Sequence, residues 1–104
     1  LLDTRTTGSA LQPGKPFSMS APAGVDEVMV NITIVPADGK PGHVTAWGSG
    51  SMPNVSNVNW AGGEVSYNLA RIKTTDGRFR FQTTNSSAHL ILDLQAIAPA
   101  GARL

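Results

Sequence analysis

The stretch Val28-Met29-Val30-Asn31-Ile32-Thr33-Ile34 decides how this chain is read. Val28, Val30, Ile32 and Ile34 recur with a period of two, and Asn31 and Thr33 fill alternate positions between them. Successive side chains of a strand point to opposite faces, so this pattern predicts a strand with one face in a core and one in solvent. The β-branched residues favour the same backbone.

The pattern repeats on either side. After the turn-rich "PADGKPG" (36–42), His43–Trp47 places Val44 and Ala46 on one face and His43, Thr45 and Trp47 on the other. The loop "GSGSMPN" (48–54) leads to a strand at Ser56–Trp60, with Val58 and Trp60 opposite Asn57 and Asn59. After "AGGE" (61–64), the runs Val65–Lys73 and Arg78–Thr84 flank Asp76-Gly77, a strong hairpin signal. Ala88–Ile97 closes the series, and its apolar run Leu90–Leu94 predicts burial on both faces. Upstream, "LLDTR" (1–5) reads as the first strand. Helical periodicity is absent. The expectation is an all-β fold: an antiparallel β-sandwich, jelly-roll or Ig-like, of seven to eight short strands. One domain spans residues 1–97, and 98–104 form a C-terminal tail or linker.

Composition narrows the setting. The 104 residues contain no cysteine, so neither a disulfide nor a thiolate takes part. Eight basic and seven acidic residues leave a net charge of +1, which argues against nucleic acid as a partner. No apolar run approaches the roughly 18 residues of a membrane helix. Low charge with many small polar residues suits an exported protein. The chain opens on Leu1, and we expect a processed product or a domain of something longer.

Two isolated charges need partners. Residues 3 and 5 of a strand face the same way, and Asp93 lies inside the apolar "LILDLQ". A buried carboxylate is costly unless paired. The reading is a structural clamp in which Arg5 forks onto Asp93, and also Asp3, tying the first strand to the last. A Ca²⁺ site at Asp3 and Asp93 is the weaker alternative, because the arginine would repel the ion.

The remaining candidates bear on binding. His43 and His89 are not at metal-ligand spacing, and "GSGS" (48–51) lacks the context of a nucleophile elbow. We therefore expect no enzyme, no metal and no cofactor. Trp60 shares the apolar face of its strand and reads as core. Trp47 lies opposite Val44 and Ala46, so its indole is a candidate platform for a sugar. His43, Asn57 and Asn59 are candidate glycan contacts beside it, although asparagines in loops more often bond backbone. If "RIKTTDGRFRF" (71–81) is a hairpin, Ile72, Phe79 and Phe81 share one face. Arg71, Lys73, Arg78 and Arg80 then share the other, as an anion site or as a solvated edge.

Several of these segments also carry a resemblance. "LLDTR" (1–5), "VNITI" (30–34), "PGHVTAW" (41–47), "SNVNW" (56–60), "NL" (68–69) and "LDLQ" (92–95) resemble, in order and spacing, a β-domain found in actinobacteria and their phages. Members of that family open with an LLDTR-like run and carry an SNLNFxxGxxxxNL segment. Ser56, Asn57, Asn59, Gly63, Asn68 and Leu69 match that segment. Ala96 and Ile97 stand where the family has Gly-Tyr, and Arg71 and Lys73 stand where it is apolar or Pro. The resemblance implies an accessory module of secreted, wall-attached or virion tail proteins, and it implies no catalytic residue. The expected function is thus non-catalytic attachment to actinobacterial cell-envelope glycan, with the domain extracellular. The alternative is a structural module of a phage virion acting through protein contacts. Expected partners are envelope polysaccharide, neighbouring virion or surface proteins, or a second copy of the chain.

Overall fold

The computed structural model describes residues 1–102. Eight strands form two four-stranded antiparallel sheets. They are β1 (Leu2–Asp3), β2 (Phe17–Ser20), β3 (Val25–Pro36), β4 (Gly42–Trp47), β5 (Val58–Trp60), β6 (Ser66–Lys73), β7 (Arg78–Thr84) and β8 (Ala88–Pro99), with one helical turn, α1 (Thr4–Thr7), after β1. Sheet A has the order β1-β8-β3-β6 and sheet B the order β2-β7-β4-β5.

These orders have a simple origin. β1 pairs with β8, β2 with β7, β3 with β6 and β4 with β5. The chain is one long antiparallel ribbon folded back at β4–β5 and then rolled up. Rolling brings β3 against β8 and β4 against β7 and closes each sheet. This is the jelly-roll arrangement.

The decisive stretch sits in β3 as expected. Val28, Val30, Ile32 and Ile34 are fully buried, and they meet Val44, Val58, Trp60, Ile72, Phe79, Phe81, Leu90 and Leu92 in one core. The Trp60 indole N–H donates to Ser86 Oγ at 2.9 Å, so the core's largest side chain leaves no polar group unpaired.

Four expectations need correction. First, β6 and β7 do not form a hairpin. β6 pairs with β3 in sheet A, whereas β7 pairs with β2 and β4 in sheet B. The Asp76-Gly77 turn, with Gly77 at φ +76°, carries the chain from one sheet to the other. Buried Thr74 shapes that crossing, because its Oγ1 donates to Asp76 Oδ1 at 2.8 Å and accepts from Asp76 N at 3.2 Å. Ile72, Phe79 and Phe81 do share the core, but they enter it from opposite walls.

Second, strand β1 stops at Asp3. Asp3 caps the turn that follows, its Oδ1 accepting from Arg5 N at 3.0 Å. Third, Leu90–Leu94 is not buried on both faces. Ile91 is half-buried, and Asp93 and Leu94 are exposed. Fourth, the strand runs past residue 97. Ala98 is buried within β8, so the tail begins later than expected.

Candidate functional site

The clamp at Asp3, Arg5 and Asp93 is replaced by something more local. Arg5 forks onto Asp3, with Nε to Oδ1 at 3.0 Å and Nη2 to Oδ2 at 2.8 Å, in an exposed pair. The guanidinium holds the Asp3 carboxyl below its ordinary range. Asp93 points outward from β8, paired in register with Asn31, and needs no buried partner. What ties β1's end to β8 is buried Thr4, whose Oγ1 accepts from Leu90 N at 2.8 Å and lies 3.2 Å from His89 Nδ1.

The four cations of the expected anion face divide between the two sides of the sandwich, because their strands lie in different sheets. On sheet A, Arg71 and Lys73 lie on β6, and Arg71 Nε is 3.6 Å from Glu27 Oε2. On sheet B, Arg78 donates to Ser18 Oγ from Nε and Nη2, at 3.1 and 2.9 Å, and to Ser20 Oγ from Nη1 at 3.2 Å. Arg80 donates to the Gly48 carbonyl and pairs with Asp76 at 2.6 Å. That pairing, together with the Thr74 hydroxyl, drives the Asp76 carboxyl far below its ordinary value.

The outer face of sheet B gathers most of the remaining candidates. Inward-facing Val44 and Ala46 leave His43, Thr45 and Trp47 outward on β4. Register sets Asn59 and Thr84 beside His43, Gln82 beside Thr45, and Arg80 beside Trp47. The Trp47 indole is half-buried and donates from Nε1 to Gly50 O at 3.2 Å. Asn59 is exposed, its Oδ1 accepting from Ser56 Oγ at 3.1 Å. Asn57 is structural, because its Oδ1 accepts from Ala46 N at 2.8 Å and so fixes residues 55–57 along β4. The same segment covers Thr45, whose Oγ1 donates to Val55 O at 2.6 Å. The face carries donors and acceptors on either side of buried Thr45, with His43 and Asn59 toward one end and the half-buried indole with Arg80 toward the other. His43, Trp47, Asn59, Arg78 and Arg80 lie on it together; Asn57, Arg71 and Lys73 do not belong to it.

Tyr67, whose strand is mixed on both faces in sequence, stands on the outer face of sheet A. It is 73% exposed, beside Leu69 at 52%. Parity carries the signal, since Val65, Tyr67 and Leu69 alternate in step with Arg71 and Lys73, two charges that must face water.

Among the described residues no pocket opens on the surface, and no group of three or more His, Asp or Glu side chains could hold a metal ion. No protein-family model matches the chain, and no curated protein and no solved structure matches it.

Proposed function

We propose that this domain is a non-catalytic, extracellular module that attaches a secreted or virion protein to actinobacterial cell-envelope glycan through the outer face of sheet B. One observation carries the reading: Trp47, His43 and Asn59 share the outer face of sheet B with Arg78, whose guanidinium meets two serine hydroxyls and, among the described residues, no carboxylate. A partly exposed indole offers an apolar surface to a pyranose ring. The Asn59 amide and His43 imidazole, farther along the same face, match sugar hydroxyls, and Arg78 suits a phosphate or uronate on the polymer. The sequence segments that resemble actinobacterial and actinophage modules supply the setting, and jelly rolls are used by both lectins and virion proteins.

The test is co-sedimentation with isolated actinobacterial envelopes at low and high salt, using the parent chain, His43→Ala, Trp47→Phe and Arg78→Gln. The reading expects binding that weakens in all three variants, with Arg78→Gln also flattening the salt dependence. Absence of parental binding, or binding indifferent to all three, would overturn it. A second reading, an assembly module working through protein contacts, is favoured by exposed Val65, Tyr67 and Leu69 on the opposite face.

A further inference from the structure

The chain leaves β4 at Trp47 and enters the loop 48–51, and each of the first three loop residues is fastened. Gly48 is buried against the Lys73 carbonyl with no room for a Cβ, and its own carbonyl accepts from Arg80 Nη1. Ser49 Oγ accepts from Thr75 N at 2.6 Å and from Thr75 Oγ1 at 3.0 Å, and lies 3.3 Å from Thr74 Oγ1. Gly50 takes the left-handed conformation, at φ +78°, and its carbonyl accepts from the Trp47 indole Nε1 at 3.2 Å. The loop thus doubles back onto the tryptophan that precedes it.

Its fasteners come from the crossing between the sheets. Thr75 lies in the segment 74–77 that carries the chain from β6 to β7. Arg80, in register with Trp47, turns back along its own strand to Asp76. There Nη2 donates to Oδ2 at 2.6 Å and Nη1 to Oδ1 at 3.2 Å. Asp76 Oδ1 is held in turn by Thr74 Oγ1 at 2.8 Å. The charge of Arg80 is therefore matched by a carboxylate, and its guanidinium is committed to the loop. Arg78, on the same face, meets only the hydroxyls of Ser18 and Ser20 among the described residues. Two arginines of equal parity have different surroundings, and their roles differ accordingly.

We infer that Ser49 and Arg80 are positioning residues for the Trp47 indole: they hold the loop whose Gly50 carbonyl tethers the ring, and neither meets the ligand. The inference rests on the reading of Trp47 as the platform of the attachment face. A tryptophan ring turns about χ1 and χ2, and one hydrogen bond from its nitrogen orients it only if the acceptor stays in place. The acceptor here is the backbone of an exposed glycine with open space around it, the residue type with the widest conformational range. The bonds at Gly48 and Ser49 remove that freedom. Orienting the ring before a ligand arrives takes an ordering cost out of binding. Arg80 thus serves the site through Trp47 and is not itself an anion contact, although parity groups it with Arg78.

The test compares the parent with Ser49→Ala and with the double variant Asp76→Asn, Arg80→Gln, which removes the tether at no change in net charge. Far-UV circular dichroism checks that each is folded. Trp60 is 4% exposed, so acrylamide quenching of tryptophan fluorescence reads Trp47, with Trp47→Phe as the baseline. We expect the Trp47 quenching constant to rise about twofold in both variants, as the ring leaves its loop. Envelope binding should weaken about threefold or more as preorganisation is lost. Its salt dependence should stay parental, because Arg78 is untouched. In the Trp47→Phe background the same changes should weaken binding no further, since no indole nitrogen remains to be tethered. Parental quenching in either variant would overturn the inference. So would a double variant that flattens the salt dependence, or that weakens Trp47→Phe as much as the parent, because Arg80 would then touch the polymer itself. If the parent does not bind envelopes, the attachment reading falls, and quenching alone decides whether Ser49 and Arg80 fix the ring; the two failures are thereby told apart.

Discussion

On the outer face of sheet B most polar side chains have an assigned partner, whereas on the outer face of sheet A the strand β6 leaves much of its surface uncommitted. Arg78 is held by two serines, Arg80 by Asp76 and the Gly48 carbonyl, Thr45 by Val55, and the Trp47 indole by Gly50. Across the sandwich, Tyr67 and Leu69 are largely exposed along an unpaired edge. Both faces arise from the same alternation of inward and outward residues. They differ because β7 is a central strand, with neighbours whose side chains and loops reach over it, while β6 has a neighbour on one side only. A fixed polar face suits recognition of a polymer by shape and hydrogen bonding. An exposed, partly apolar strand such as β6 suits contact with another protein surface.

The harshest way to break the comparison is to separate the two regions where they touch. A Cβ added at Gly48, just after β4, would lie 1.6 Å from the Lys73 carbonyl oxygen and 2.8 Å from Thr74 Cα, at the end of β6. These are backbone atoms at a buried position and cannot step aside. Gly48→Ala should therefore cost upwards of about 4 kcal/mol or abolish folding, as seen in urea melts. A loss under about 1 kcal/mol would mean that the two sheets are not locked at this crossing.

Next in size is the anchor of sheet A's other margin. Thr4→Val keeps the shape of the side chain and removes the oxygen that accepts from buried Leu90 N. The expected cost is about 1–3 kcal/mol, the usual consequence of orphaning a buried donor. Ser18→Ala, which removes an exposed partner of Arg78 on sheet B, should stay within about 0.5 kcal/mol of the parent. Equal effects from the two would show that the sheet B hydroxyls contribute as much as a buried cap.

The misread "LLDTR" belongs to this margin and shows what was legible in the sequence. Alternation revealed the inward sets of β3, β4 and β5, because a period of two survives any choice of pairing partner, and it failed in β8, where the apolar run Leu90–Leu94 hides the period. It could not reveal the partners. An Asp-Gly turn between two strands that share an inward set suits a hairpin within one sheet, and equally a crossing between two sheets whose walls face each other. In a rolled ribbon only β4 and β5 are adjacent in both chain and sheet order. Parity alone therefore gathers the four cations of β6 and β7 onto one face, whereas they occupy two. Asp93 misled for a related reason: apolar neighbours at 92 and 94 on the opposite parity say nothing about burial at 93. Asp3 followed by Thr-Arg-Thr was a capping signal, hidden by the leucines before it. The grouping of His43, Trp47 and Asn59 was half legible, since parity placed them outward and only the β4–β5 register set His43 beside Asn59.

Smaller effects sharpen the contrast. Leu69→Lys and Tyr67→Lys should leave stability within about 0.5 kcal/mol of the parent, because both side chains already stand in water. Larger losses would mean that this surface is packed within one copy, and its apparent freedom would then be no guide to a partner.

The last and smallest effect concerns pH, and only sheet B's rim should show it. The Asp76 carboxyl is held far below its ordinary value, by Arg80 first and by Thr74 second. A depressed carboxylate contributes stability that is whole above the unfolded-state pKa, about 4, and drains away as the pH falls toward the folded value. Asp76→Asn should therefore melt below the parent near neutrality, with the gap closing progressively in acid below about pH 4. Leu69→Lys, with no carboxylate altered, should hold a constant offset from the parent over the same range. A constant gap for Asp76→Asn as well would show that its effect does not come from the charge of the carboxylate, since protonating Asp76 in the parent would then change nothing. The Asp76–Arg80 pair would then position Arg80 beside Trp47 without stabilising the fold.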